Sequence, residues 1–293
     1  MTTTIELTAK DFKSDIDPDW CPGCGHFGAL NSLQRACADV GLQPHEVVTV
    51  SGIGCSSNAP GYINTYGMHT LHGRSLAFAT GVKMANHELT VIATGGDGDG
   101  YGIGGNHFTH TARRNVDITY VVMNNQIYGL TTGQVSPTSR PGLTTKSTPF
   151  GNIEYPFNPI ASAIMNGATY VARGYSGDIR GTTKLIADGI RHKGFSIIDI
   201  HSPCVTFNLE NTHDFFKQRI TKLETVEHNT GDWKQAIDYA SDWDEKIYTG
   251  LFFEVQSESL SELEPILREG GPISKRPLAL TPEQADRMKN RLM

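Results

Sequence analysis

Two short apolar segments, separated by a glycine-rich turn and a helical stretch, constrain the fold of this chain more than any other feature. Residues 89–93 are apolar and rich enough in β-branched side chains to form a buried strand, which breaks at a Gly-Gly-Asp-Gly turn. Residues 105–114 can form a helix, and residues 116–123 form a second apolar strand that ends at two asparagines. Because the crossover in such a βαβ unit makes its strands parallel, this segment predicts a parallel sheet.

Polar residues follow the ends of both predicted strands. Asp97 lies in the glycine-rich turn, and Asn125 follows the second strand, 28 positions later. Since the carboxyl ends of parallel strands meet at one edge of a sheet, one ligand can touch both residues. Their side-chain oxygens, together with a main-chain oxygen of the following turn, suit Mg²⁺ that carries phosphates. The neighbouring glycines leave N–H groups free to bind the anion.

Strands and helices continue to alternate through residue 204. Further strands are predicted over residues 45–51, 168–172 and 195–200, and helices over residues 27–40, 75–87, 159–167 and 178–192. Cys55 follows the first of these strands, and Cys204 follows the last. Both cysteines, like Asp97 and Asn125, therefore fall at carboxyl ends of candidate parallel strands, where open α/β sheets bind ligands.

Composition excludes several classes of protein. The 293 residues can form one large domain, and a net charge of −6 without a block of Lys or Arg argues against a nucleic-acid or anionic-membrane surface. The apolar runs are too short to span a bilayer. Residues 1–19 form a polar arm without the apolar core of a secretory signal, so a cytoplasmic location is predicted.

Five cysteines without a secretion signal indicate metal or redox chemistry and not a disulfide framework. Cys21 and Cys24 form a CxxC pair that can chelate one metal centre. A dithiol redox pair would leave Cys55 and Cys204 unexplained, whereas a zinc site or a 4Fe-4S cluster would use all four thiols. Zinc sites usually contain a second close pair, which is absent from this sequence. Cys37, inside the first helix, is predicted to be a packed core residue.

The motifs around these residues resemble those of a known family. GDG followed by NN resembles the cofactor motif of thiamine diphosphate (TPP) enzymes. The longer pattern GDGD…IGGNH…RRN…NNQIYGLTTGQVSPT resembles the β subunit of the 2-oxoacid:ferredoxin oxidoreductases. The resemblance implies an α/β fold of the TPP-binding type: a mostly parallel sheet with helices on both faces, followed by a C-terminal extension. A generic glycine-rich turn would explain GDG alone but not GDG combined with NN at the end of the next parallel strand.

The resemblance also implies the cofactors and their contacts. TPP would be held on Mg²⁺ by Asp97, Asn125 and the carbonyl of Ile127. The family's β subunits bind a 4Fe-4S cluster through cysteines that match Cys21, Cys24, Cys55 and Cys204. The expected cofactor contacts are Ile53, Gly54, Cys55, Ser56, His72, Gly73, Gly96, Asp97, Gly98, Asp99, Asn125, Ile127, Gly129, Leu130 and Thr131.

A member of this family would take part in the reversible oxidative decarboxylation of a 2-oxoacid with coenzyme A. Electrons would pass through the cluster to ferredoxin. The Glu that activates TPP belongs to the α subunit of the family, so no catalytic residue is expected in this chain. We expect the chain to be inactive alone and to work in an (αβ)₂ assembly.

The substrate is predicted from the segment after the Asn pair. Relatives of the 2-oxoglutarate type read YGLTKGQ there, those of the pyruvate type read NTGGQ, and this chain reads YGLTTGQ. The resemblance therefore implies conversion of 2-oxoglutarate to succinyl-CoA and CO₂, with pyruvate or another 2-oxoacid as the alternative. Thr132 replaces the usual Lys or Gly, and Asn58 occupies a position that is often basic in relatives, so the group that binds the distal carboxylate is expected in the α subunit. Asn58 and Thr131 are the candidate substrate contacts of this chain.

Two other functions remain open: a TPP-dependent non-redox decarboxylase or carboligase with structural zinc, and a non-catalytic iron-sulfur electron carrier. Residues 1–204 are predicted to form the cofactor-binding domain, in which the aperiodic segment 128–158 is an active-site loop. Residues 205–293 are predicted to be an extension that contacts a partner subunit, with a helix over 233–240, a strand over 251–255 and an acidic helix over 260–269.

Overall fold

One eight-stranded sheet forms the centre of the molecule. The computed structural model describes residues 7–243, 245–277 and 279–292, so that residues 1–6 of the predicted polar arm lie outside the described residues. The strands are β1 (Val47–Ser51), β2 (Tyr66–His69), β3 (Thr90–Gly96), β4 (Thr119–Asn124), β5 (Tyr170–Tyr175), β6 (Ser196–His201), β7 (Ile220–Lys222) and β8 (Ile247–Glu254). Their order across the sheet is β2-β1-β3-β4-β6-β5-β8-β7.

Strands β1 to β6 are all parallel, as the βαβ pattern predicts. Strand β8 pairs antiparallel with β5, and β7 pairs parallel with β8. From β1 the chain moves outward to β2 and then returns to the other side of β1 as β3. This reversal is a topological switch point, where a crevice opens at the carboxyl ends of the strands.

Helices cover both faces of the sheet. They are α1 (His26–Val40), α2 (Ala59–Tyr62), α3 (Ser75–Ala85), α4 (Gly105–Arg113), α5 (Pro159–Met165), α6 (Ile179–Arg191), α7 (His213–Arg219), α8 (Trp233–Ser241), α9 (Leu260–Leu263), α10 (Pro265–Gly270) and α11 (Pro282–Leu292).

Side chains that alternate along the strands form two separate cores. Val91 and Ala93 of β3 pack in the core beneath α3, α4, α5 and α8, whereas Ile92 between them packs in the core beneath α1 and α6. Central strands that are buried on both faces explain why the apolar runs of the sequence are nearly continuous.

The structure corrects four details of the predicted elements. Strand β2 lies in a polar segment that has no strand pattern, and its residues are largely exposed at the edge of the sheet. The predicted helix over 260–269 is interrupted at Pro265, because proline ends the helix that precedes it. Strand β8 is longer than predicted and belongs to the main sheet. A π-helix over Gly98–Ile103 follows the glycine-rich turn.

The π-helix depends on glycines that allow close packing. A Cβ atom on Gly100 would lie 2.0 Å from the hydroxyl oxygen of Tyr120, and one on Gly104 would lie 2.5 Å from the carbonyl oxygen of Asp99. π-Helical turns are rare and occur frequently at functional sites. This one directly follows Asp97, at the switch-point crevice.

Candidate active site

A cleft of about 130 Å³ opens at the carboxyl ends of β1, β3 and β4. The cleft therefore lies at the topological switch point. Its lining includes every predicted cofactor contact except Gly73, and adds His26 and Tyr128. The residues that line it are His26, Ile53, Gly54, Cys55, Ser56, His72, Gly96, Asp97, Gly98, Asp99, Asn125, Ile127, Tyr128, Gly129, Leu130 and Thr131.

Asp97 is the buried carboxylate of this cleft, with 1% of its surface exposed. Its Oδ2 accepts hydrogen bonds from the Ser136 hydroxyl at 2.5 Å and the Thr138 hydroxyl at 2.6 Å. Burial raises the pKa of Asp97, and the two hydroxyl donors act in the opposite direction. A buried carboxylate at the floor of a cleft is a suitable ligand for a cation that would keep it ionised.

The turn after β4 lines the same cleft through Asn125 and Ile127. The side-chain oxygen of Asn125 accepts a hydrogen bond from the N–H of Ile127 at 3.1 Å, which closes the turn. The main-chain oxygen of Asn125 is taken by the amide of Asn208 at 3.0 Å. Gln126 has a φ of +58°, a left-handed conformation that non-glycine residues rarely adopt except in such turns.

Asp99 binds protein groups on two neighbouring loops. Its Oδ1 accepts hydrogen bonds from the N–H groups of Ile53 at 2.9 Å and Gly73 at 2.7 Å, and Nδ1 of His72 lies 2.8 Å away. A Cβ atom on Gly52 would lie 2.2 Å from the Asp99 carboxylate, so only glycine fits there. Asp99 therefore ties the loops after β1 and β2 to the π-helix.

Glycines bring the backbone of the turn close to an aromatic ring. A Cβ atom on Gly98 would lie 2.1 Å from Cε1 of Tyr128, whose hydroxyl donates a hydrogen bond to the Gly98 carbonyl at 3.0 Å. A Cβ atom on Gly96 would lie 3.1 Å from the hydroxyl oxygen of Ser56. The absence of side chains at both glycines allows this close packing of the turn, and the binding of an anion by its N–H groups stays a prediction.

The four predicted cysteine ligands come together beside this turn. A Cβ atom on Gly129 would lie 3.7 Å from Sγ of Cys55 and 3.8 Å from Sγ of Cys204. Cys21 and Cys24 form one turn, closed by a hydrogen bond from the Cys24 N–H to the Cys21 carbonyl at 3.0 Å. The next residue, Gly25, donates its N–H to the carbonyl of Pro203 at 3.0 Å, which joins the CxxC turn to the loop that carries Cys204.

The thiols are also close enough to affect one another's ionisation. Burial, with smaller contributions from the other three thiols, raises the pKa of Cys24 to about 12. Burial, Cys204 and Cys21 likewise raise the pKa of Cys55. Within the described part of the chain, no three His, Cys, Asp or Glu side chains are arranged to hold a single metal ion. Cys37 is fully buried in the α1 core, as predicted.

Comparison with known proteins identifies the family. Residues 49–200 match the family model described as "Thiamine pyrophosphate enzyme, C-terminal TPP binding domain", and residues 204–269 match the model of the C-terminal part of the pyruvate ferredoxin oxidoreductase beta subunit. The 2-oxoacid:ferredoxin oxidoreductase subunit beta of a Sulfolobus species is 44% identical over 270 residues, which cover 87% of each chain. The chain belongs to the β subunits of the 2-oxoacid:ferredoxin oxidoreductases.

Other members of this oxidoreductase family are similar over comparable lengths. The 2-oxoglutarate oxidoreductase subunit KorB of Mycobacterium tuberculosis is 45% identical over 207 residues, which cover 71% of this chain and 56% of that protein. A solved 2-oxoglutarate:ferredoxin oxidoreductase from Magnetococcus marinus, with 2-oxoglutarate, coenzyme A and succinyl-CoA bound, matches with a TM-score of 0.90 and 40% identity, covering 98% of this chain and 97% of that one. The predicted family, fold class and enzyme class are confirmed.

Two residues of this oxidoreductase subunit differ from their predicted surroundings, although their roles stay predictions. Asn58 is not part of the cleft lining, and its amide lies 3.5 Å from a carboxylate oxygen of Asp19. Gly73 does not line the cleft, but its N–H donates a hydrogen bond to Asp99, which does. Thr131 lines the cleft, and its hydroxyl donates to the side chain of Gln134.

The sequence did not predict the residues that hold Asp97 and the turn after β4 in place. Ser136 and Thr138 belong to the segment SPTS of the predicted active-site loop, but the sequence assigns neither of them a role. Asn124 enters the prediction only as half of the Asn pair, but its amide donates to both oxygens of the buried Asp199, at 3.1 and 3.3 Å. The hydroxyl of Tyr101 donates to the same carboxylate at 2.9 Å. No periodic signal connects these positions, since they meet only in the folded chain.

Within residues 7–243, 245–277 and 279–292, no helix is long and apolar enough to cross a membrane.

Proposed function

We propose that this chain is the β subunit of a 2-oxoglutarate:ferredoxin oxidoreductase. The complete enzyme would convert 2-oxoglutarate and coenzyme A to succinyl-CoA and CO₂, reversibly, and pass the electrons through a 4Fe-4S cluster to ferredoxin. One observation carries the proposal: the turn that presents Asp97 and Asn125 and the loops that carry the thiols share a single edge of the sheet, with Gly129 adjacent to both.

The residues of the turn fit a magnesium-bound diphosphate. Asp97 and the side chain of Asn125, with the carbonyl of Ile127, would supply the protein oxygens, and one carboxylate with one amide is the type of ligand set that Mg²⁺ uses beside phosphates. Gly96 and Gly98 would lie along the diphosphate, since both line the cleft on either side of Asp97. Bound TPP supplies the carbon nucleophile and electron sink of 2-oxoacid decarboxylation. The protein orients it and excludes water.

Four thiols around a common space fit an iron-sulfur cluster better than a zinc ion. Zinc sites usually contain a second close pair of cysteines, which Cys55 and Cys204 do not form in the sequence. A 4Fe-4S cluster accepts one thiolate per iron, and CxxC with two separate cysteines is compatible with such ligation. The four ligands would be Cys21, Cys24, Cys55 and Cys204.

An α subunit is required to complete the site. Small-molecule sites usually occupy about 300–1,000 Å³, so a cleft of about 130 Å³ would be only part of one. The two carboxylates in its lining, Asp97 and Asp99, are both engaged by protein groups, which leaves the activating carboxylate to the partner. Apolar side chains around the cleft are exposed and would be covered by that partner. They are Ile53 (38%), Leu71 (67%), Ile103 (51%) and Leu130 (57%).

Similarity to proteins named for 2-oxoglutarate favours that substrate over pyruvate. KorB proteins at 37–45% identity and the M. marinus enzyme carry the name 2-oxoglutarate. Pyruvate is the second candidate, because the family description matched by residues 204–269 names pyruvate. We place the enzyme in the cytoplasm as an (αβ)₂ assembly, in line with the sequence prediction.

The test is a co-expressed α/β complex, purified without oxygen. We expect iron and acid-labile sulfide in four-iron stoichiometry, bound TPP, and coenzyme A-dependent ferredoxin reduction faster with 2-oxoglutarate than with pyruvate. Asp97→Ala should lose Mg²⁺ and TPP but keep the cluster, and Cys55→Ala should do the reverse. Zinc in place of iron would contradict the oxidoreductase site, and a complex without TPP would identify an electron carrier. Activity of the isolated chain would show that no α subunit is required.

A further inference from the structure

We infer that Ser136 and Thr138 restrict Asp97 to one metal-binding oxygen and thereby select Mg²⁺ over Ca²⁺ at the diphosphate site. The inference rests on the proposed function, because it takes Asp97 as the cation ligand. It concerns a segment, SPTS, that the proposed mechanism does not otherwise use. Both hydroxyls bond to the same carboxylate oxygen, Oδ2, at 2.5 and 2.6 Å.

Proton counting assigns the direction of these hydrogen bonds. A hydroxyl has one proton to donate. The Ser139 hydroxyl uses its own on the carbonyl of Gln126 at 2.7 Å, so it cannot also donate to Ser136. Ser136 has two possible acceptors, Asp97 at 2.5 Å and the hydroxyl oxygen of Ser139 at 3.2 Å. Thr138 has two possible acceptors, Asp97 at 2.6 Å and the amide oxygen of Asn124 at 3.0 Å. The shorter contact to the charged group is the stronger one. Both hydroxyls therefore donate to Asp97.

The other carboxylate oxygen remains available. Within the described residues, both side-chain donors to Asp97 bond to Oδ2. The main-chain N–H of Asn125 also bonds to this carboxylate, but no side-chain donor in the described part of the chain competes with a cation for Oδ1. Two charge-assisted donors on Oδ2 would have to be displaced before that oxygen could bind a cation as well. Asp97 can therefore offer Oδ1 alone without losing the hydrogen bonds from Ser136 and Thr138.

One-oxygen binding discriminates between divalent cations. Mg²⁺ demands six ligands at 2.0–2.1 Å in near-octahedral geometry and is usually bound by one or two carboxylates plus phosphates, whereas Ca²⁺ takes six to eight ligands at 2.3–2.6 Å and commonly uses carboxylates in bidentate fashion. A carboxylate whose second oxygen is occupied suits the first ion and removes one ligand from the second. Discrimination would therefore depend on hydroxyls that never touch the metal.

The segment that carries the hydroxyls is itself held in place. The N–H of Ser136 donates to the Ser139 hydroxyl at 2.8 Å, and the amide of Gln126 donates to the carbonyl of Thr138 at 3.2 Å. Asn152, from the far end of the long loop, donates its amide to the carbonyls of Ser139 and Arg140 at 3.2 and 3.1 Å. These bonds fix the hydroxyls before any cofactor binds, which is the usual requirement for a selective metal site.

The experiment measures binding and needs no turnover. TPP is titrated by calorimetry into the metal-stripped α/β complex with either Mg²⁺ or Ca²⁺, and the ratio of the two dissociation constants is compared between variants. Thr138→Val keeps the shape of the side chain and removes the hydroxyl, and Ser136→Ala removes the other one. Each is expected to shift the ratio toward Ca²⁺ by about tenfold, the lower end for residues that support a metal ligand. The matched controls Thr138→Ser and Ser136→Thr keep a hydroxyl and should keep the ratio.

The outcomes separate the two proposals. Unchanged TPP binding by Asp97→Ala would overturn the proposed cation site itself. Loss of binding by Asp97→Ala with an unchanged Mg²⁺/Ca²⁺ ratio in both Thr138→Val and Ser136→Ala would overturn only the selection by hydroxyls. Equal weakening with both cations would do the same, since it would show support without discrimination. If Thr138→Val does not assemble with the α subunit, Ser136→Ala decides the question on the same ratio.

Discussion

Asp97 and the four thiols lie on the same edge of the sheet, but the protein holds them in different ways. The Asp97 side is formed by side-chain hydrogen bonds: two hydroxyls bond to its carboxylate, and Asn124, Tyr101 and Asp199 form a buried network beneath. The thiol side is formed by backbone contacts between loops, such as the bond from the Gly25 N–H to the Pro203 carbonyl.

The difference indicates how each side responds to loss of its cofactor. A carboxylate with its hydrogen bonds already made keeps its position when the cation leaves. Thiols with raised pKa values would instead be protonated and lose the charge that binds iron, so their loops would lose a cross-link. We therefore expect the Asp97 side to keep its structure without cofactor, and the loops of the thiol side to become more mobile. The following predictions test this comparison.

The largest effect is expected from Cys204→Ser. Removal of one thiolate should abolish the visible absorbance of the cluster and ferredoxin reduction in the α/β complex, while TPP binding remains. Hydrogen exchange should rise around residues 21–25 and 202–206 but stay unchanged around Asp97, since the latter is held by its own hydrogen bonds. Cys37→Ala, which removes a buried thiol away from the site, is the control. Equal loosening on both sides would remove the distinction.

Gly98→Ala should damage the diphosphate side without touching the thiols. The added methyl group would collide with Tyr128 at 2.1 Å and force the turn to shift, at a cost of about 1–3 kcal/mol. TPP affinity and the urea midpoint of the complex should fall, whereas iron content should not. Gly81→Ala, in α3, is the control because a Cβ there meets no atom within 4 Å. Full TPP affinity in Gly98→Ala would mean that the turn is adaptable.

The buried network predicts a pH dependence through Asp199. Burial raises the pKa of Asp199 from 3.8 to about 6, so the folded protein favours its protonated form. The stabilisation of the folded protein by protonated Asp199 is complete below pH 3.8 and is lost as the pH rises through about 6. Between pH 5 and 7 this loss amounts to about 1 kcal/mol.

Asp199→Asn cannot titrate, so the advantage of the wild type over this variant should shrink by that amount from pH 5 to pH 7. Urea midpoints of the α/β complex measure it. A difference between the two proteins that grows with pH would show that the ionised form is favoured, for example by the buried Arg173.

The smallest change in the free energy of unfolding is expected from substitution of Thr132. Its φ of +75° is a left-handed conformation that a β-branched residue adopts only under strain. Thr132→Gly should relieve that strain and, after the entropy of the unfolded chain is counted, raise the free energy of unfolding by about 0.5 kcal/mol. Thr131→Gly, outside the left-handed region, should lower it slightly. A destabilised Thr132→Gly would indicate that the Thr132 side chain makes a compensating contact.

Most of the fold could be predicted because local patterns carried it. The apolar runs before Asp97 and Asn125 are long enough to identify parallel strands, and that geometry alone brings both residues to the edge that also holds Cys55 and Cys204. Edge strand β2 was not predicted, because an exposed strand has no apolar pattern.

The supporting residues of the site escaped for a different reason. Ser136 and Thr138 reach Asp97 across about 40 positions of sequence through a loop without periodicity. Asp97 and Asp99 are equivalent in the pattern of the GDGD motif. In the structure, Asp97 bonds to two hydroxyls at the cleft, whereas Asp99 bonds to the loops that carry Ile53 and Gly73. Which aspartate does which depends on the π-helix, and no propensity scale predicts that element from a run of glycines.

Gly129 limits how this enzyme can diverge. The protein atoms around it would tolerate a methyl group, since the two nearest sulfurs lie at ordinary contact distances of 3.7 and 3.8 Å. In the proposed enzyme, that methyl group would nevertheless occupy space between the TPP site and the cluster site. Substitution there would yield a well-folded subunit that crowds its cofactors, a defect that measurements of stability on the cofactor-free chain would miss and assays of ferredoxin reduction would reveal.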